Sequence, residues 1–183
     1  MENRVLDFWF NKSTPEQWFI KDSNFDESIR LQFSDTLNRA INGELDKWMG
    51  GARSCLALTI VLDQFPRNLF RNSKRAFEQD PKALLLCKHA IKNNYINQLV
   101  NEERLFALLP LIHSENIKDH NIAEEVLEKY LVTLSSLERT KKAWNDHTAV
   151  IKRFGQYPHR NSVLGRPSSE EEISFLKGPN SSW

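Results

Sequence analysis

Three short stretches of this sequence gather side chains that can hold charge or move a proton, each where a helical pattern breaks. They are Asp63-Gln64-Phe65-Pro66-Arg67-Asn68, then Leu109-Pro110-Leu111-Ile112-His113-Ser114-Glu115, then Phe154-Gly155-Gln156-Tyr157-Pro158-His159-Arg160-Asn161 with Leu164-Gly165-Arg166 just beyond. The first and third echo each other: an aromatic residue, Pro, then Arg-Asn, with His159 inserted in the third. Proline fixes the local backbone, so the arginine after it is held in place. A guanidinium is a rigid fork of donors suited to carboxylate or phosphate, and an asparagine adds one donor group and one acceptor. Between residues 138 and 166 seven Lys/Arg stand against two acids, which adds positive charge around the third stretch. Two such turns on facing helix ends could clamp an anionic group.

The same residues have a plainer reading. Arginine and asparagine beside helix ends commonly bond orphan backbone carbonyls, and Asp63 could pair with Arg67 across its own break. Among the histidines, His147 lies on an apolar stripe with Ala143 and Ile151, which suits a core imidazole bonded to a neighbouring backbone or carboxylate group. His89 and His120 read as surface residues of their helices. Zinc chemistry has no support in the spacing: His113 and Glu115 are two apart and no H-E-x-x-H occurs. Neither a G-x-S-x-G elbow nor a glycine-rich phosphate loop is present, and neither cysteine has a histidine partner nearby in sequence. His113 or His159 could still move a proton, with Glu115 orienting the ring.

The elements that must position these residues are helices. Asn3 reads as the cap of a short aromatic helix, Val5 to Phe10, which would anchor the N-terminus. Thr14-Pro15-Glu16-Gln17 is a capping box with Pro at the first helical position. Phe25, Ile29, Phe33, Leu37 and Ile41 recur every four residues and stop at Gly43. From Ala52 to Phe65 almost no polar face remains, which predicts the buried centre of the domain, ended by Pro66. Asp80-Pro81 starts a further helix, and Asn101 caps another. Ala123, Val126, Leu127, Tyr130, Leu131 and Leu134 form one more stripe. The stripe Ala143, His147, Val150, Ile151 and Phe154 ends at Gly155. Ser168-Ser169-Glu170-Glu171-Glu172 is a doubled capping box, closed by Gly178-Pro179. No strand pattern and no linker emerge, so residues 1–183 are expected to form a single all-α domain of stacked antiparallel helix pairs.

Composition narrows the function classes. Hydrophobic residues at 40% with eleven Phe and five Trp supply a packed core, and a net charge of +1 argues against a bulk nucleic-acid binder. No stretch is apolar enough to span a membrane, and Met1-Glu2-Asn3-Arg4 lacks a signal-peptide pattern. Cys55 and Cys87 read as reduced core thiols, pointing to the cytoplasm.

At the segments Val5-Leu6-Asp7-Phe8-Trp9-Phe10, Leu62 to Asn68, Asp80-Pro81, His113-Ser114-Glu115 and Phe154 to Arg166, the chain resembles the bacterial domain-of-unknown-function 924 family. The resemblance covers nearly the whole chain and implies an all-helical fold similar to tetratricopeptide-repeat (TPR) proteins, with no established activity. The chain departs from the family pattern at His120, where many members carry Gln, and at Gln156, where Arg is usual. Taken together, the expected ligand-binding set is Asp63, Arg67, Asn68, His113, Glu115, His147, His159, Arg160, Asn161 and Arg166. Catalytic candidates are His113, Glu115 and His159, with no metal and no cofactor. The expected partner is a small anionic molecule or peptide, and self-association stays open. The alternatives are a hydrolase-type enzyme using His/Glu acid–base chemistry, or a protein-interaction scaffold.

Overall fold

A computed structural model describes residues 1–179 and 181–182. Among the described residues every regular element is helical: α1 (Glu2–Asp7), α2 (Pro15–Phe19), α3 (Ser23–Ile41), α4 (Ala52–Asp63), α5 (Phe65–Leu69), α6 (Asp80–Lys92), α7 (Asn101–His113), α8 (Ile117–Tyr130), α9 (Leu137–Phe154), α10 (Asn161–Leu164) and α11 (Glu170–Leu176). A π-turn at Phe8–Lys12 continues α1, and short 3₁₀ turns occupy Asp46–Gly50, Lys74–Ala76, Tyr95–Gln98 and Pro158–Arg160.

The architecture is a bundle around α4. This helix packs against α1, α3, α5, α6 and α7, while α6, α7, α8 and α9 each pack on the next. Ten of its twelve residues are buried, as an all-round apolar helix requires. An aromatic cluster fastens the N-terminus to this centre. Trp9 sits 5.8 Å from Phe25, 5.9 Å from Phe65 and 5.4 Å from Phe106, centroid to centroid, so α1 and its π-turn are pinned to α3, α5 and α7 at once. Each large side chain fully buried in this way contributes about 1.5–3 kcal/mol. The apolar stripes of α3 and α8 face inward, with Phe25, Ile29, Phe33 and Leu37 and then Ala123, Val126, Leu127 and Tyr130 all buried. A smaller apolar group under the C-terminal segment holds Val150, Ile151 and Tyr157 against Phe154 and Phe175.

Local signals set most boundaries. Gln17 accepts from the Thr14 N–H at 3.0 Å, and Ser169 and Glu172 close the box that starts α11. Gly43 and Gly155 hold φ of +81° and +70°, which an L side chain adopts only with strain. Three expectations shift. Asn3 lies inside α1, whose cap position is Met1. Asn101 is the first residue of α7 rather than its cap, and Thr133 Oγ1 donates to its side chain at 2.9 Å. His120 is buried, not a surface residue: its ring bonds the Ser114 carbonyl at 2.8 Å and Thr148 Oγ1 at 3.0 Å, so a helix start read as exposed is covered by α9.

For the polar residues one consequence matters. α6 runs opposite to α4 and α7, so the C-terminal ends of α4 and α7 and the N-terminal end of α6 share one end of the bundle.

Candidate functional site

At that end Pro66, in the first turn of α5, forces a new short helix immediately after α4, since it cannot donate into the α4 ladder. The break leaves the carbonyl of Asp63 available, and Arg67 Nη1 donates to it at 2.6 Å. The same guanidinium then grips Asp80, the first residue of α6, through both forks, Nη1 to Oδ1 at 2.8 Å and Nη2 to Oδ2 at 3.0 Å. From the other turn, Arg160 Nη1 donates to Asp80 Oδ2 at 3.2 Å. The two Pro-Arg turns, ninety-odd residues apart in sequence, therefore meet at one carboxylate that the sequence marked only as a helix start.

His113, the last residue of α7, completes this chain of contacts: its Nδ1 lies 2.6 Å from Asp63 Oδ1. Asp63 is fully buried and also accepts from Gln64 Nε2 at 2.5 Å. Burial alone would raise its pKa, but the neighbouring His113 and Arg67 outweigh that and hold it well below the usual carboxylate range. An ionised Asp63 fixes the imidazole with its proton on Nδ1. Burial, reinforced by Arg67 and opposed by Asp63, pushes His113 below its ordinary value, so the ring is neutral near pH 7. Its Nε2 then carries a lone pair and accepts no hydrogen bond from any described residue.

The third stretch is braced from beneath. Arg166 forks onto Glu115, Nη1 to Oε2 at 2.7 Å and Nη2 to Oε1 at 3.0 Å, and Tyr157 N–H donates to the same carboxylate at 2.7 Å. Burial opposes ionisation of Glu115, yet these bonds keep its pKa lowered. Asn161 accepts from Arg166 Nε at 3.0 Å and donates to Ser168 and Glu172, tying the turn to α11. Gln156 also donates to Glu172, at 2.7 Å, and serves as a neutral brace. Tyr157, wholly buried, donates its hydroxyl to the Ile112 carbonyl in the last turn of α7. His159 lies 5.5 Å from the Tyr157 ring and His147 5.8 Å from it, centroid to centroid. Burial lowers both imidazoles, His147 to about 3 and His159 to about 4, the latter with help from Arg160. His147 bonds the Ala143 carbonyl at 2.7 Å, the backbone role its stripe predicted.

Arg160 differs from the other two arginines. It is only 6% exposed and packs against two rings, its guanidinium carbon 4.5 Å from the centroid of Phe77 and 4.5 Å from that of Tyr157. Its one hydrogen bond among the described residues is the Nη1 contact to Asp80, and Nε is buried without a partner. Burial, reinforced by Arg67 and opposed by Asp80, lowers its pKa, whereas Asp80 and Asp63 together overcome burial and raise that of Arg67. Arg67 thus has two carboxylates within ion-pair distance, Asp63 and Asp80, and Arg160 has one, Asp80.

Of the residues singled out from sequence, Asp63, Arg67, His113, Glu115, His147, His159, Arg160, Asn161 and Arg166 join in this contiguous network. Asn68 does not: it donates to Asp26 of α3 at 2.8 Å, beside Arg71, on the other side of α5. The picture of open arginine forks needs correcting too. Arg67 and Arg166 are occupied by carboxylates, because burying a guanidinium demands a counter-charge. Glu115 does not orient His113; Asp63 does. Asp80, Phe77, Tyr157 and Glu172 were missed as members. Asp80-Pro81 carried a visible signal, but it spoke only of helix initiation. A separate groove of about 430 Å³, bordered by Met1, Arg39, Lys47 and Trp48, lies near the start of α4 and includes none of the network. Among the described residues no helix is long and apolar enough to cross a membrane.

No curated protein matches the chain. A solved protein of unknown function from Agrobacterium tumefaciens is similar over 97% of each chain, with 34% identity and a TM-score of 0.86. The family described as bacterial protein of unknown function (DUF924) matches residues 5–180, and with all but seven of the 183 residues inside that match and a helical fold in common with the Agrobacterium protein, this chain belongs to it.

Proposed function

We propose that the domain binds a small molecule through a carboxylate or phosphate group held by Arg160. The observation that carries this is the Nε/Nη2 edge of that guanidinium. It is one of the two edges that fork onto an oxyanion, and it makes no hydrogen bond among the described residues. A buried donor left unpaired costs about 1–3 kcal/mol, more when charged. An oxyanion at this edge would recover that cost and add a second carboxylate or phosphate partner beside Asp80. Phe77 and Tyr157 both pack against the guanidinium, so little ordering remains for the ligand to bring about. With His113 neutral, Asp63, Asp80 and Glu115 balance Arg67, Arg160 and Arg166, so the attraction is local rather than a long-range field.

Calorimetric titration with inorganic phosphate and with succinate tests the reading. Binding at millimolar concentration or tighter is expected for the parent, and Arg160→Gln should remove it while Arg71→Gln, outside the network, leaves it unchanged. Equal affinity in the Arg160 variant, or no heat with either anion, would defeat it.

A further inference from the structure

We infer that the site is hydrolytic: His113 acts as a general base on water, and the substrate is a carboxylic ester that also carries the anionic group held by Arg160. This rests on the binding reading above and adds chemistry to it. The carrying observation is the Asp63–His113 pair. A buried carboxylate bonded to Nδ1 across 2.6 Å fixes which nitrogen is basic and stabilises the imidazolium that forms when Nε2 takes a proton. The His113 side chain is 16% exposed, so its ring is reachable from solvent, unlike that of His120, which is 1% exposed. The pair and the anion subsite are continuous, because Arg67 touches both Asp63 and Asp80, and Asp80 touches Arg160.

Water, not a protein side chain, is the nucleophile. Ser114, next to His113, donates its hydroxyl to Asp119 Oδ2 at 2.6 Å and is held away. Burial pushes the Cys55 thiol up to about 11 and Cys87 higher still, so neither supplies a thiolate. In the step, His113 Nε2 takes a proton from water as the water oxygen bonds to the ester carbonyl carbon, and the carbonyl π electrons move to its oxygen. That intermediate collapses, the bond from carbon to the alkoxy oxygen breaks, and the departing alkoxide takes the proton from Nε2. An ester and water become an acid and an alcohol, and the imidazole is regenerated.

The test is turnover of the 4-nitrophenyl monoester of succinic acid by the full chain, alongside calorimetric binding of succinate. The parent should release nitrophenol faster than buffer, and His113→Gln should reduce kcat at least about 100-fold with succinate affinity little changed. Arg160→Gln should instead act mainly on KM. The parent's rate should fall with acidity below the ordinary imidazole value of about 6.5, as Nε2 becomes protonated. Asp63→Asn should lower kcat as well, and should that variant fail to fold, the acid limb and the His113 variant still decide the matter. Succinate binding without hydrolysis, or hydrolysis indifferent to His113→Gln, would overturn the catalytic assignment and leave the binding site standing. Loss of both in the parent would remove the two together.

Discussion

Asp80 is the residue on which the two turns depend. Two guanidiniums share its carboxylate, and without it Arg67 and Arg160 would be like charges facing each other in a poorly solvated place. Removing one partner of a buried ion pair typically costs about 3–5 kcal/mol, because the stranded charge cannot be rehydrated. Asp80→Asn should therefore lower the thermal midpoint substantially. It should also release Nη1 of Arg160 and one fork of Arg67 for an external anion. Phosphate is then expected to raise the midpoint of Asp80→Asn more than that of the parent, as binding to the native state alone requires. Equal shifts in the two proteins would mean that the arginines do not face the anion. None of this could be read from Asp80-Pro81 as a dipeptide. The spacing announces a helix start, and the partners come from residues 13 and 80 positions away.

At the scale of elements, the turn after α9 decides where Tyr157, His159 and Arg160 point. Gly155 ends the helix at φ +70°, and nothing lies within 4 Å of the position where a Cβ would sit. Replacing it with alanine thus creates no clash, and the cost is conformational alone, about 1–2 kcal/mol for an L residue forced into the left-handed region. The midpoint of urea unfolding should fall accordingly for Gly155→Ala and less for Gly155→Asn, whose short amide tolerates that region. Equal midpoints would mean the turn relaxes without loss. This stop was legible, as were the Thr14–Gln17 and Ser169–Glu172 boxes, because cap chemistry is local and acts through side chains within one turn. The environment of a helix start was not legible. His120 follows Asn116, a genuine cap, and looks solvent-facing by position, yet α9 closes over it and Thr148 takes its ring nitrogen. The pairing of His113 with Asp63 was equally hidden, for Glu115 was the nearer acid in sequence and α4 the nearer in space.

For the whole molecule, the network makes stability depend on pH with a definite sign. The folded chain holds His147 at about 3 and His159 at about 4, and an unfolded chain would leave both near 6.5. Between those values the unfolded state binds more protons, so stability rises with pH across the window and is fully present only above about 6.5. Acidification from pH 7 toward 4 must progressively destabilise the fold, and His113, lowered by burial, adds in the same direction. Asp63 acts in a lower window: its depressed pKa supports the fold above the ordinary aspartate value and loses that support only as pH falls further. Each buried imidazole is worth about 1–2 kcal/mol between pH 6.5 and 5 by this linkage. Thermal midpoints measured at pH 7 and pH 5 should therefore differ by several degrees, and His159→Gln, which cannot take up a proton, should narrow the gap. Bound succinate or phosphate should narrow it less, because the anion acts through Arg160, which stays charged at both pH values. A pH-independent midpoint would mean that the imidazoles are hydrated in the folded state. The buried end of the bundle would then be open to water, with Arg160 lacking the shielding that its role in anion capture requires.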